Sequence, residues 1–314
     1  MRIFMAGGTG VVGRRAVARL VGTGHEVTAV ARSEDKAAAL RSAGAAPVTV
    51  DLFDGDAVSA AVIGHDAVVN LATSIPPISQ AVRGSAWVMN DRIRTEASAN
   101  LVDAASAAGA RRYVQESITF TYPDRGDEWI DESTPIDPPP GTTSVAVAEA
   151  NADRFTRSGG IGVVLRFGLF YGPDSAHSQT FLRAAQRRIG MATGSPRGFI
   201  SSIHLDDAAA AVVAALSVGP GVYNVVDDEP VTRRQYVDVI GRAVGRRRLF
   251  LYPGRWARLM GKRSEILTRS QRVTNAKFRA ATDWAPQYPS VREGWPAVAT
   301  AVANANADAE RVLE

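Results

Sequence analysis

The first half of the chain alternates short runs of β-branched and apolar residues with alanine-rich stretches whose apolar positions recur at helical spacing. Arg2 to Met5 reads as a strand that opens onto glycines, and Val11 to Val21 as a helix. Glu26 to Ala31, Pro47 to Val50, Asp66 to Leu71, Arg112 to Gln115 and Gly162 to Phe167 read as further strands. Ser33 to Ala43, Asp56 to Ile63, Trp87 to Ala108 and Thr142 to Ser158 read as the helices between them. These strands are continuous apolar runs rather than alternating ones, as expected of a parallel sheet covered on both faces. Ligand chemistry in such a sheet belongs at the carboxyl ends of the strands.

After Tyr171 the rhythm changes. Gly172 and Pro173 break the chain, Ser178 to Ile189 and His204 to Leu216 read as helices, and Val222 to Val226 as a late strand that rejoins the sheet. From Glu229 onward the sequence is helical, loop-rich and rich in arginine. The expected division is a sheet domain over 1–173 and 200–228, with a smaller C-terminal lobe over 174–199 and 229–314. The stretch from Pro123 to Thr143 contains Pro135, Pro138, Pro139 and Pro140 and reads either as a lid or as a proline-stiffened surface connection.

The length of 314 residues, 46% of them hydrophobic, is enough for a large core. With no cysteine, the chain excludes disulfides, thiolate catalysis and cysteine-held metals, and fits a reducing cytoplasm. No apolar run approaches the roughly 20 residues of a membrane span, so no membrane partner is expected. The net charge is +4 and the basic residues are almost all arginine, with Lys36, Lys262 and Lys277 the only lysines. Arg246, Arg247 and Arg248, followed by Arg255, Arg258, Lys262 and Arg263, read first as a solvated face. A nucleic-acid surface requires a compact basic stripe with interleaved aromatics, and no nucleic-acid partner is expected. A phosphate-bearing small substrate or a polyanion is the sharper alternative. His25, His65 and His177 show no spacing with carboxylates that suggests a metal site.

The strongest local signal is Gly7-Gly8-Thr9-Gly10-Val11-Val12-Gly13, directly after a strand and directly before a helix. Glycines three apart permit a tight turn, close approach of backbone to a pyrophosphate, and close packing of helix on strand. The free N–H groups of the helix start then face the phosphates. The pattern predicts an α/β, Rossmann-type doubly wound parallel sheet holding a nicotinamide dinucleotide. The second strand ends in Val30-Ala31-Arg32-Ser33, with no acid to hold a ribose 2′-hydroxyl and an arginine placed for a 2′-phosphate. Arg14 and Arg15 lie in the first helical turn nearby. This favours NADP(H), with NAD as the alternative. Asp51 and Leu52 after the third strand, Leu71, Ala72 and Thr73 after the fourth, and Phe167 at the end of the sixth complete the expected cofactor contacts. Asp51 also reads as a helix cap or turn residue, and Arg32 as a solvated arginine that Glu34 or Asp35 would pair.

Together these residues resemble the extended and atypical short-chain dehydrogenase/reductases, in particular the NAD-dependent epimerase/dehydratase family. The resemblance runs over nearly the whole chain. It continues through Asn70-Leu71-Ala72, Asn100-Leu101-Val102-Asp103, Arg112-Tyr113-Val114, Leu165-Arg166-Phe167, Tyr171-Gly172-Pro173, Ile203-His204-Leu205-Asp206-Asp207 and Trp284-Ala285-Pro286. The resemblance implies NAD(P) on the sheet, substrate in the smaller lobe, often a nucleotide sugar, and dimerisation through the two long sheet-covering helices. It also implies a tyrosine, a lysine four residues later and a nearby serine or threonine, the lysine lowering the phenol's pKa.

Here that pattern fails. Alignment on Glu149 puts Gly141 at the tyrosine position and Val145 at the lysine position. There is no tyrosine between Tyr122 and Tyr171 and no lysine between Lys36 and Lys262. The helix asparagine of the family falls on Arg94, with Asn90 one turn earlier. The remaining candidates follow the fifth strand: Ser117 and Thr119 to bind a substrate carbonyl, Tyr122 as a proton donor, and Glu116 as a base. Each has a bland counterpart, as does His204, which reads as a junction residue at the start of a helix. Three functions fit: an atypical NADP(H)-dependent oxidoreductase on a small carbonyl-type substrate, a non-catalytic NADP(H)-binding sensor or scaffold, and a nucleotide-sugar epimerase or dehydratase.

Overall fold

The computed structural model describes residues 1–76, 80, 83–251 and 265–313. Its centre is a seven-stranded, wholly parallel sheet, numbered along the chain: β1 (Arg2–Ala6), β2 (Glu26–Val30), β3 (Ala46–Val48), β4 (Ala67–Asn70), β5 (Arg112–Ile118), β6 (Ile161–Phe167) and β7 (Gly221–Val225). The spatial order is β7-β6-β5-β4-β1-β2-β3. The order reverses between β1 and β4, so the loops after these two strands diverge and leave a crevice at their carboxyl ends.

Strand periodicity divides the core into two layers. Ile3 and Met5 face one side with α1 (Gly13–Gly22) and α2 (Glu34–Ser42); Phe4 and Ala6 face the other with α3 (Gly55–Val62). In α1 the buried positions are Gly13, Ala16, Val17 and Leu20, a stripe at three- and four-residue spacing. Each buried Leu or Val contributes about 1.5–3 kcal/mol. The second layer also receives the helical stretch after β4 and α6 (Thr143–Arg157).

The long helix expected over Trp87 to Ala108 is not uniform. It runs as α4 (Val88–Arg92), a π-helical turn over Ile93–Ala97, and α5 (Ser98–Ala107). Thr95 Oγ1 donates to the Asp91 carbonyl at 2.8 Å and Ser98 Oγ to the Arg94 carbonyl at 2.6 Å, competing for the acceptors that an α-helix would use. The wider turn places Arg94 inward, where it is buried. Such bulges are frequent at functional sites.

Val222 to Val226 does rejoin the sheet, as the outer strand β7. The Pro123–Thr143 stretch is docked rather than free. Trp129–Ile130 pairs in parallel with Arg272–Val273, and Ile130 packs with Tyr122, Val226 and Val273. Asp137 is tied to Arg269 at 2.9 Å. The Glu132 carboxylate accepts the Asn224 N–H of β7 at 2.7 Å, and Lys277 donates to the Val222 carbonyl at 2.7 Å. These side chains cap an edge strand that would otherwise offer free ladder groups.

The later part of the chain supplies α7 (Ala176–Gln186), α8 (Leu205–Ala214), α9 (Arg233–Ala243), the short α10 (Glu265–Thr268) and α11 (Ala276–Ala281), and α12 (Val291–Leu313). Of these, α8 returns to pack on the first layer beside α1. A third apolar cluster joins α7, α9 and α12 through Leu182, Tyr236, Val237, Ile240 and Trp295. Among the described residues no helix is long and apolar enough to cross a membrane, and no group of His, Asp or Glu is arranged to hold a metal.

Candidate cofactor site and the corner beside it

Each glycine of the turn meets a different constraint. Gly7 has φ +81°, and a Cβ there would lie 2.4 Å from the Leu71 carbonyl carbon. The turn after β4 is therefore pressed against the turn after β1. Gly13 packs its α-carbon on the carbonyl of Gly7, where a Cβ would fall 2.0 Å away. Gly10 is different: it is exposed, and a Cβ would meet nothing closer than the Gly7 carbonyl oxygen at 3.3 Å. Protein packing presses on a side chain there far less than at Gly7 or Gly13, and a phosphate approaching the backbone adds its own demand for glycine.

The N–H groups of Val11, Val12 and Gly13 have no acceptor among the described residues, and the start of α1 has no side-chain cap. A ten-residue helix thus presents unsatisfied donors and the positive end of its dipole toward Thr9 and Gly10. Leu71 is anchored by donating its N–H to Ala6 at 2.9 Å, and Asn70 Oδ1 accepts the Ala72 N–H at 3.1 Å. Ala72 and Thr73 are half-buried beside this turn. The residues present fit a dinucleotide diphosphate.

Arg32 is exposed and has no partner among the described residues; Glu34, its alternative partner in the sequence reading, is held by Arg41. Arg14 and Arg15 behave otherwise. Arg15 donates to Asp174 at 2.8 and 2.9 Å and to Asp206 at 2.8 Å, and Arg14 also pairs with Asp174. Both arginines are committed to joining α1 to the lobe, which leaves Arg32 as the guanidinium open to a 2′-phosphate. Asp51 is exposed, and its Oδ1 accepts the Phe53 N–H at 3.0 Å in a local turn; the Leu52 carbonyl is held by Asn100 at 2.9 Å. Phe167 is fully buried, its ring 5.2 Å from that of Phe170, so it presents no ring surface to a ligand.

The corner where β5 ends is closed. Ser117, Thr119 and Tyr122 are 0%, 1% and 0% exposed, so none offers surface to a substrate in this structure. Ser117 Oγ donates to Glu149 on α6 at 2.5 Å. Arg166 on β6 grips the same carboxylate with two bonds, 2.8 and 2.6 Å, and donates to the Tyr122 hydroxyl at 2.8 Å. That hydroxyl in turn donates to Asn224 at 2.9 Å. Burial pushes the Tyr122 phenol above its usual range despite Arg166. Glu116 is no free base: it is buried and paired with Arg94 at 3.1 and 3.2 Å. Arg94, at the family's asparagine position, keeps its Nε without a partner. Asn90, a turn earlier, accepts the Ser74 N–H at 3.0 Å and ties α4 to the turn after β4.

Gly141 and Val145, the tyrosine and lysine positions of the resemblance, flank the start of α6. Gly141 is exposed with φ +91°, and Val145 is fully buried. His204 caps α8, its Nδ1 accepting the Asp206 N–H at 3.2 Å. It is enclosed by Tyr171 and Tyr288 with ring centroids 5.3 and 4.3 Å away. Burial lowers its pKa to about 4, so it is a neutral junction residue. The sequence reading missed Arg166 as the hub of this corner. The signal was an arginine inside the apolar run Gly162-Val163-Val164-Leu165-Arg166-Phe167, where a charge requires a buried partner.

Comparison with known proteins accords with this geometry. A family described as NAD(P)H-binding matches residues 7–218. A 3-diazoavenalumate denitrifying reductase from a Streptomyces species is 34% identical over 312 residues, covering 94% of this chain and 99% of its own. A Stigmatella aurantiaca ketoreductase, named for a 4-farnesyl-dihydroquinoline-1-oxide substrate, is 27% identical over 76% of this chain and 72% of its own. Among solved structures, the human epimerase family protein SDR39U1 with NADPH superposes with a TM-score of 0.78 at 23% identity, covering 96% of this chain and 99% of that one. At that identity the likeness establishes the fold alone. The chain belongs to the family described as NAD(P)H-binding, on a Rossmann-type fold that it shares with the human epimerase family protein.

Proposed function

We propose that the protein is an NADPH-dependent reductase whose electrophile needs no proton from a side chain, with an aromatic diazonium compound as the leading substrate class. The carrying observation is the closed corner: Gly141 and Val145 stand where a proton relay would be, and Ser117, Tyr122 and Glu116 are buried and bonded to other side chains. Hydride addition to a ketone leaves an alkoxide that must be protonated, and that demand is what a tyrosine and lysine meet. Hydride delivery to an aryl diazonium has no such demand. A C–H bond forms, the C–N bond breaks, dinitrogen leaves with that electron pair, and the positive charge ends on the nicotinamide. When bound, the reduced nicotinamide supplies the hydride. The chain's own residues hold and orient: the amides of Val11, Val12 and Gly13 on the diphosphate, Arg32 on the 2′-phosphate, and Leu71 to Thr73 along the dinucleotide. Identity of 34% along nearly the whole chain to a denitrifying reductase of a diazo compound supports this reading.

A small carbonyl substrate, protonated by water, is the second reading, and the 27% identity to a ketoreductase favours it. NADPH deuterated at C4, incubated with the protein and an aryl diazonium salt, should place deuterium on the ring carbon and release dinitrogen. No product from diazonium salts, together with deuterated alcohol from ketones or quinones, would move the assignment to the second reading. Saturable NADPH binding with no turnover of either class would leave a cofactor-binding sensor.

A further inference from the structure

The lobe carries a surface that the cofactor site does not use. Arg183 lies in the last turn of α7, Arg187 caps it and Arg188 follows; Arg242 lies in the last turn of α9, with Arg246, Arg247 and Arg248 just beyond. Two contacts hold these helix ends side by side. Ile189–Gly190 pairs in parallel with Phe250–Leu251, with the Phe250 N–H donated to the Arg188 carbonyl at 2.8 Å. Arg246 Nε donates to the Gln186 carbonyl at 3.2 Å. All seven arginines are exposed. Among the described residues none of them forms an ion pair with a carboxylate. Surface arginines elsewhere do: Arg92 holds Glu96, Arg154 holds Asp103 and Arg157 holds Asp153.

These seven charges exceed the +4 of the whole chain, so the remainder is net negative. Helix dipoles favour the arginines within the two last turns, but not the four that lie beyond. Arg188 also has φ +63°, the one non-glycine residue with positive φ among those described, at a position where glycine would sit without strain. Phe250, 61% exposed, stands on the strand that joins the two helix ends.

We propose that this face docks the protein on an anionic phospholipid surface. Clusters of four to eight arginines or lysines are what anionic headgroups attract. Nucleic acid is disfavoured. The arginines sit at helix ends rather than along a helix face that enters a groove. The expectation of no membrane partner rested on the lack of a spanning segment, which peripheral docking does not need. Arg255, Arg258, Lys262 and Arg263, grouped with this cluster by sequence, lie outside the described residues.

The test is co-sedimentation of the full chain with vesicles of phosphatidylcholine alone or mixed with phosphatidylserine, at low and high salt. Binding is expected only with phosphatidylserine and should weaken as salt rises. R246Q/R247Q/R248Q should reduce it roughly a hundredfold, about 1 kcal/mol for each charge lost, and R187Q/R188Q should act in the same direction, while each variant still binds NADPH as a check of folding. The proposal is overturned if phosphatidylserine vesicles do not bind at low salt, if both variants bind like the parent, or if duplex or single-stranded DNA is preferred over the vesicles at equal salt.

Discussion

Two corners of one crevice treat their polar groups in opposite ways. At the turn between β1 and α1, three backbone N–H groups have no partner among the described residues, the helix start has no side-chain cap, and Gly10 is exposed. At the corner formed by β5, β6 and α6, Ser117 is bonded to Glu149, Arg166 to Glu149 and Tyr122, and Tyr122 to Asn224. Unsatisfied donors at a surface are available for a ligand; donors saturated inside a core are available only for stability. The first corner has the chemistry of a binding site and the second that of a structural clamp, although the resemblance assigns catalysis to the second.

The largest effects should come from breaking the glycine turn, and they should separate by position. G13A drives a Cβ against the Gly7 carbonyl. It is expected to cost about 3 kcal/mol or more of stability and to abolish NADPH binding, read by thermal unfolding and titration. G10A brings its methyl group to 3.3 Å from the Gly7 carbonyl oxygen, a contact relieved by a shift of a few tenths of an ångström. It should leave the melting temperature near that of the parent while weakening NADPH by about tenfold or more, 1.4 kcal/mol. If both variants lose stability equally, Gly10 serves packing and the contrast between the corners disappears.

The second corner should answer in stability instead. R166M leaves the Glu149 carboxylate buried without its cation and is expected to cost about 3–5 kcal/mol by urea unfolding. The double variant E149L/R166M should recover most of that loss, because a pair of apolar side chains often replaces a buried ion pair at little cost. S117A, which removes one buried hydrogen bond, should cost about 1–2 kcal/mol and leave turnover within about twofold of the parent. A loss of turnover near a thousandfold in S117A, with stability kept, would return that serine to the chemistry.

The contrast also marks how far the sequence could be read. The alternation of strand and helix, the glycine spacing and the return of Val222 to Val226 to the sheet rest on local patterns, and the structure shows them within a few residues. The closed corner rests on pairs remote in sequence. Glu149 and Arg166 lie on different elements, Tyr122 meets Asn224 across 102 residues, and nothing local says that their side chains meet. The same holds for Arg15, legible as a cation near the turn but committed by folding to Asp174 and Asp206. The docking of the proline-rich stretch depends on Arg269 and Val273, also far along the chain. The missing tyrosine and lysine were plain from the sequence. That the groups left behind had been turned inward was not.

A smaller effect concerns which dinucleotide the open corner holds. Arg32 has no partner among the described residues, so its removal disturbs no ion pair. R32A should weaken NADPH by about tenfold, the loss of one charge-assisted contact, with NADH affinity and melting temperature unchanged. Equal loss for both coenzymes would place Arg32 on a diphosphate oxygen rather than on the 2′-phosphate.

The smallest effect tests whether a saturated interior is stabilising everywhere. Asp227 is buried where β7 meets the lobe, its Oδ1 without a partner and its other oxygen 3.4 Å from the Tyr171 hydroxyl. Burial, with Asp207 and then Asp228 as like-charged neighbours, pushes its carboxyl well above the usual range, against the bonds from Tyr171 and the His204 backbone. His204, itself kept neutral by burial, offers no cation to offset the charge. The folded chain therefore holds this proton more tightly than the unfolded one. That contribution to stability is fully present below the ordinary aspartate pKa and is lost as pH rises through the raised one. D227N removes the titration while keeping the shape. Its urea midpoint should match the parent at the acid end and exceed it progressively toward neutral and mildly alkaline pH. A midpoint lower than the parent's at neutral pH would mean that Asp227 is ionised and usefully bonded, so that this junction resembles the Glu149 corner after all.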